Sequence, residues 1–286
     1  MKINYSIKEL KLIANTIRKD IIKMLAHAGS GHTAGALGMA DIFAVLYFRI
    51  LNHKPRNANW KNRDRVIVSN GHICPVWYAT LANAGYFSKD ELLKLRKINS
   101  KLQGHPHLNT LPGIENTGGP LGQGISFACG VAFAGKLDKK DYMVYCSLGD
   151  GEIEEGQVWE AMLFAAKYKL DNLCAFIDRN YIQIDGNTED VMPLGDVSRK
   201  VKEFGWNVIE INGHDYKQII NAFETAKKAR GKGKPVMIIA NTIPGKDVSF
   251  IEGRYEWHGK PPNKEQAVKA LEELDKIEQL IKTGKK

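Results

Sequence analysis

Apolar positions in this chain switch repeatedly between two spacings, and the switching predicts its elements. Near the amino terminus Leu10, Ile13, Ile17, Ile21 and Met24 recur at three- and four-residue steps, which draws one apolar stripe along a helix. Ser6 followed by Glu9 is a capping-box signature for its start, and the helix is expected to run to about residue 26. The glycine-rich run from Gly29 to Gly35 stops it. Further apolar helices are expected over 39–51 and 76–84. Short continuous apolar runs at 66–69, 141–147, 173–177, 206–211 and 236–242 read as buried strands. Helical spacing covers 125–137, 154–168, 197–204, 216–228 and 264–281, while 103–124 and 243–263 read as loops.

Strands alternating with helices indicate an α/β fold: a doubly wound, mostly parallel sheet with helices on both faces. Ligands of such sheets collect at the carboxyl ends of the strands. Internal repeats and low-complexity linkers are absent from the sequence, so residues 1–286 are read as a single domain. A chain of 286 residues can bury a substantial core.

Composition narrows the picture only a little. The chain is 43% hydrophobic and 26% charged, ordinary for a soluble protein. Its net charge of +9 suits an anionic ligand, but the excess lysines are scattered and no basic stripe is interleaved with aromatics. A solvated surface is expected there, with no nucleic-acid partner. Cys74, Cys129, Cys146 and Cys174 show no CxxC pairing, and free buried thiols in a reducing compartment are expected. The sequence shows no signal peptide and no apolar run of membrane length, so a cytoplasmic protein without a membrane partner is expected.

The chemistry sits at strand ends. Gly149-Asp150-Gly151 follows one strand and Asn180 the next, so a crossover helix brings a carboxylate and an amide oxygen to one point. Hard cations such as Mg²⁺ and Ca²⁺ prefer such oxygen donors, completed by phosphate and water. The glycines let backbone approach a ligand closely. His32, His72, His105 and His258 lie in glycine- or proline-rich loops rather than on apolar faces. Their spacing does not point to zinc. Imidazoles so placed suit proton transfer and hydrogen bonding to hydroxyl and carbonyl oxygens. His53 and His107 carry no assigned role.

The segments SGHTAGALGMAD, NRDRVIVSNGH, GHP, GGPLGQGIS, GDGEIEEGQVWEA, DRNYIQIDG and WHG follow in that order over residues 30–259. Together they resemble the amino-terminal, diphosphate-binding part of transketolases. The resemblance implies thiamine diphosphate as cofactor, with Asp150, Asn180 and the Ile182 carbonyl holding a Mg²⁺ ion (Ca²⁺ or Mn²⁺ would also fit). It implies that Gly119, Pro120 and Leu121 lie against the aminopyrimidine, and that Gly149, Gly151, His72 and His258 contact the cofactor. His32, His72, His105 and His258 would bind sugar hydroxyls and move protons, and Glu155 would link two active sites at an interface between subunits. The family usually reads SGHPG where this chain has Thr33 and Ala34 after His32.

In such enzymes the activating glutamate and the pyrimidine pocket belong to a following domain. The pyrimidine-binding and carboxyl-terminal domains are absent from this sequence, and residues 264–286 read as a finished helix and basic tail. The resemblance therefore implies one half of a split transketolase, completed by a separate carboxyl-terminal subunit, with a homodimer core inside a heterotetramer; a fragment of a longer protein is the structural alternative. It would transfer a two-carbon ketol unit from a ketose phosphate to an aldose phosphate, as in the pentose phosphate pathway. Deoxyxylulose-phosphate synthases and 2-oxo-acid dehydrogenase subunits share the GDG…N signature, and a silent cofactor-binding regulatory subunit is the reading from another class.

Overall fold

The computed structural model describes residues 5–286. Helix α1 spans Ile7–Ala28 and opens on the expected capping box: Ser6 accepts from the Glu9 amide, and the Ser6 amide donates to the Glu9 carboxylate at 2.7 Å. Gly29 ends it in a left-handed conformation (φ 67°), which satisfies the Leu25 carbonyl. The short α2 (Ala34–Gly38), which the periodicity does not predict, comes next. The helix expected over 39–51 follows it as α3 (Ala40–Val45), running directly into a wide π turn at Leu46–Ile50. A Cβ at Gly38 would meet the Ile243 carbonyl at 3.0 Å, so the chain is pressed against the loop after the last strand. The π turn brings the Tyr47 hydroxyl to Trp77 Nε1 (2.6 Å) inside the core.

Strand β1 (Arg65–Val68) precedes α4 (Cys74–Asn83), and α5 (Gln123–Leu137) leads into β2 (Val144–Gly149). A 3₁₀ turn at Gly151–Glu154 and α6 (Gly156–Lys167) connect to β3 (Leu173–Arg179). The expected helix over 154–168 thus starts two residues later, because Glu152 is drawn inward to bond three neighbouring groups. A small antiparallel hairpin, β4 (Ile182–Gln183) and β5 (Gly186–Asn187), is too short to leave a periodic signal in the sequence. After the short α7 (Thr188–Val191) come α8 (Val197–Glu203), β6 (Asn207–Asn212), α9 (Tyr216–Lys228), β7 (Val236–Asn241) and α10 (Lys264–Lys282). Trp206, expected to open β6, packs in the core instead and donates from Nε1 to the Met162 carbonyl at 3.0 Å.

The main sheet is wholly parallel, in the order β1-β2-β3-β7-β6. Its central strands alternate between two cores. Tyr145, Cys174, Phe176 and Ile238 face the core shared with α1, α3, α4 and α9, whereas Cys146, Leu148, Ala175 and Ile239 face that of α5, α6 and α8. Helices on both faces explain why β2 and β3 are buried at every position. The four cysteines are buried and free. Among the described residues no helix is long and apolar enough to cross a membrane.

Candidate functional site

The carboxyl ends of β1, β2 and β3 open on a cavity of about 480 Å³. It is lined by His32, His72, His105, His258, Gly119, Leu121, Gly149, Asp150, Gly151, Glu155, Asn180 and Ile182. Every expected site residue therefore converges here except Pro120, which is exposed in the same loop and does not line the cavity.

The acidic floor is built first. The Asp150 carboxylate accepts from the amides of Gly151 (2.9 Å) and Tyr181 (2.7 Å) and from Arg179 (3.2 Å). Burial pushes its pKa up despite these donors. Tyr181 adopts φ 62°, unusual for a side chain of that size, and is held there by the Arg179 guanidinium 4.1 Å above its ring. The Asn180 amide bridges its surroundings: Nδ2 donates to Asp178 (2.8 Å) and Oδ1 accepts from the Ile182 amide (3.0 Å). Asp178 lies wholly buried behind it, bonded also to the Thr242 hydroxyl, and burial pushes its pKa up to about 7. Asp178 is the last but one residue of an otherwise apolar strand, two positions before Asn180, and a carboxylate at such a position was the available signal for it.

Glu152 is the second residue that sequence reasoning passed over as a site element. Its buried carboxylate accepts from the Ser69 hydroxyl, the Gly122 amide (2.8 Å) and the Gly149 amide (2.9 Å). One side chain thus fixes the end of β1, the Gly119–Gly122 loop and the end of β2. Glycine is required where these loops meet, since a Cβ on Gly71 would stand 2.8 Å from the Gly119 nitrogen.

Four imidazoles form the roof. Ring centroids lie 5.3 Å apart for His32–His72, 6.0 Å for His32–His105, 5.7 Å for His32–His258 and 5.0 Å for His72–His258. Burial, and then the neighbouring imidazoles and Arg96, push His32 down to about 4 from an ordinary 6.5. Burial and the other three rings hold His72 well below its ordinary range, and burial lowers His105 and His258 too. The cluster is neutral at pH 7, so its nitrogens can accept protons. Thr33, where the resembled family usually has proline, donates from Oγ1 to the Lys260 carbonyl at 2.6 Å and ties the His32 loop to the His258 loop. His107 lies exposed outside the cavity, and His53 stacks on Tyr86 away from it.

A polar ligand fits this arrangement. Both side-chain polar atoms of Asn70, Nδ1 of His32 and Nδ1 of His258 are buried without a hydrogen-bond partner. Such groups cost free energy unless a ligand or water satisfies them. Among the described residues no group of three or more His, Cys, Asp or Glu side chains could hold a metal ion. A cation at Asp150 would accordingly rely on amide, carbonyl and ligand oxygens.

Comparison with known proteins agrees with this geometry. Residues 9–276 match the family described as transketolase, thiamine diphosphate binding domain. The chain is 42% identical over 268 residues to a 6-deoxy-6-sulfo-D-fructose transketolase subunit of Clostridium sp. (strain MSTE9), covering 94% of this chain and 97% of that one. It is 40% identical over 272 residues to an apulose-4-phosphate transketolase subunit of Actinobacillus succinogenes, covering 95% and 98%. The crystal structure of transketolase from Campylobacter jejuni superposes with a TM-score of 0.89 at 38% identity, over 95% of this chain but 43% of that one. The chain thus spans nearly all of the subunit relatives and less than half of the longer enzyme.

Proposed function

The chain belongs to the family of transketolase thiamine diphosphate-binding domains, and from that premise we propose that it is the amino-terminal subunit of a split transketolase. With a carboxyl-terminal subunit it moves a two-carbon ketol unit from a ketose phosphate to an aldose phosphate. The observation that carries this reading is the neutral four-histidine roof facing the Asp150–Asn180 floor across one cavity.

Thiamine diphosphate, when bound, supplies a carbon nucleophile and an electron sink for breaking and making the sugar C–C bond. This chain's residues do the rest. Asp150, Asn180 and the Ile182 carbonyl would hold a divalent cation, with Mg²⁺ the proposed ion, and Gly149 and Gly151 would present backbone to the diphosphate. The Gly119-Pro120-Leu121 loop would support the aminopyrimidine. His32, His72, His105 and His258 orient sugar hydroxyls and exchange protons with them, each able to accept at pH 7 because burial keeps it neutral. Glu155, exposed beside the cavity, is placed to meet a neighbouring subunit.

The partner supplies the activating carboxylate and the pyrimidine pocket. A homodimer core is supported by apolar side chains that α5 and α6 leave exposed, including Phe127, Leu137, Leu163 and Phe164. The sulfonated and phosphorylated sugars in the relatives' names favour a ketose with an anionic tail as donor. A cytoplasmic setting fits the free buried thiols.

The test is ketol transfer from xylulose 5-phosphate to ribose 5-phosphate, with Mg²⁺ and thiamine diphosphate, by the chain alone and mixed with the partner subunit. Turnover in the mixture alone is expected. Robust turnover by the chain alone removes the split-subunit reading, and pyruvate acting as the preferred donor moves the chain to the deoxyxylulose-phosphate synthase or 2-oxo-acid dehydrogenase type.

A further inference from the structure

Arg96 stands in a left-handed backbone conformation (φ 59°), with its amide bonded to the Leu102 carbonyl. A bulky residue held there is strained and calls for a compensating role. Its side chain reaches the two loops that carry His32 and His105. A Cβ added to Gly104 would stand 2.6 Å from Arg96 Cζ, and one added to Gly31 would stand 3.6 Å from Arg96 Nε. Arg96 Nη2 donates to the Gly104 carbonyl at 3.3 Å, and Arg96 makes no ion pair with a carboxylate among the described residues. The guanidinium of this exposed residue therefore lies against Gly104 and, beside Leu25, within contact of Gly31, each glycine directly preceding a roof histidine.

We propose that Arg96 is a positioning residue that locks the Gly31-His32 loop against the Gly104-His105 loop and so sets the relation of those two imidazoles. The proposal rests on the functional reading above, which gives the roof its task. A planar guanidinium suits the position, because it can lie flat against the two glycines while donating along its edge. Its charge adds a second effect. His32 and His105 face each other, the imidazoles of His72 and His258, and Arg96; behind them the Cys74 thiol lies 3.2 Å from the Gly104 carbonyl, and the Tyr78 hydroxyl donates to the Gln103 carbonyl. The carboxylates of Asp150, Glu152, Glu154, Glu155, Asp178 and Asp185 line the same cavity. Among these, Arg96 is the one fixed positive charge, and it disfavours protonation of His32 and His105.

The test is an imidazole NMR titration of the whole chain, without cofactor, comparing wild type with Arg96→Met and Arg96→Lys. Arg96→Met is expected to move the His32 and His105 midpoints upward while leaving His72 and His258 nearly in place. Arg96→Lys is expected to restore the midpoints. In the mixture with the partner subunit, both variants should lose about tenfold in kcat, since lysine returns the charge but not the planar fit. Unchanged His32 and His105 midpoints in Arg96→Met, or equal shifts at all four histidines, overturn the proposal. If Arg96→Met does not fold, full kcat in Arg96→Lys overturns it by itself. Because the titration needs neither cofactor nor turnover, its failure is distinct from failure of the transketolase reading.

Discussion

At the scale of single residues, the site is an exchange of opposite demands on burial. Asp150 must stay charged to hold a cation, and two amides and Arg179 supply the stabilisation that water would otherwise give. Replacing it leaves Arg179 with the half-buried Glu189 as its one carboxylate partner, beside the Tyr181 ring. Asp150→Ala is expected to lower folding stability by about 2 kcal/mol in urea unfolding. It should also abolish the Mg²⁺ dependence of thiamine diphosphate binding, read by calorimetry. The histidines meet the reverse demand and stay neutral. His32 binds protons less readily folded than unfolded, so the unfolded chain holds the extra proton between pH 6.5 and about 4. Stability should therefore fall as pH drops through that window, and His32→Gln should flatten part of the slope. A slope unaltered in His32→Gln would show that this ring is not held neutral by its surroundings.

Elements explain how residues so far apart in sequence meet. β1, β2, β3 and β7 run parallel and carry polar residues at or just past their carboxyl ends (Ser69, Asp150, Arg179 and Asn241), and helices on both faces bury the rest. This much was legible, because long apolar runs flanked by Gly-Asp-Gly, Asn-Gly-His and Arg-Asn leave few other placements. Local departures were not. The short α2 ahead of the expected 39–51 helix ends at Gly38, where a Cβ would stand 3.0 Å from the Ile243 carbonyl, a neighbour about two hundred residues away in sequence that leaves no mark on periodicity. The late start of α6 has the same origin, since Glu152 spends its carboxylate on Ser69, Gly122 and Gly149 instead of helix geometry. Glu152→Gln replaces one acceptor oxygen by a donor and leaves a buried amide unpaired. It is expected to cost about 1–3 kcal/mol and to speed hydrogen exchange at the Gly122 and Gly149 amides. Exchange rates unchanged at both amides would remove Glu152 as the clamp of these loops.

For the whole molecule, the relevant feature is an exposed apolar face. α5 and α6 expose Phe127 (45%), Leu137 (67%) and Leu163 (58%), more apolar surface than isolated side chains account for. Phe133, Phe164 and Tyr168 add an aromatic cluster on the same pair of helices, with centroids 4.5 to 5.9 Å apart. Self-association through this face should appear as a dimer in sedimentation, and Leu163→Lys should shift it toward monomer by at least about tenfold in dissociation constant. The sequence alone did not signal this face, since Phe127 and Leu163 follow the same helical spacing as their buried neighbours.

The central claim is that this chain holds cofactor and sugar while another chain completes the reaction. Titrating the partner subunit into a fixed concentration of this chain, with thiamine diphosphate, Mg²⁺, xylulose 5-phosphate and ribose 5-phosphate, tests it most directly. Ketol transfer should rise from near zero and level off at one partner per chain, and an Asp150→Ala chain should stay silent throughout. Full turnover before any partner is added, or none at equimolar partner despite bound cofactor, would contradict the account.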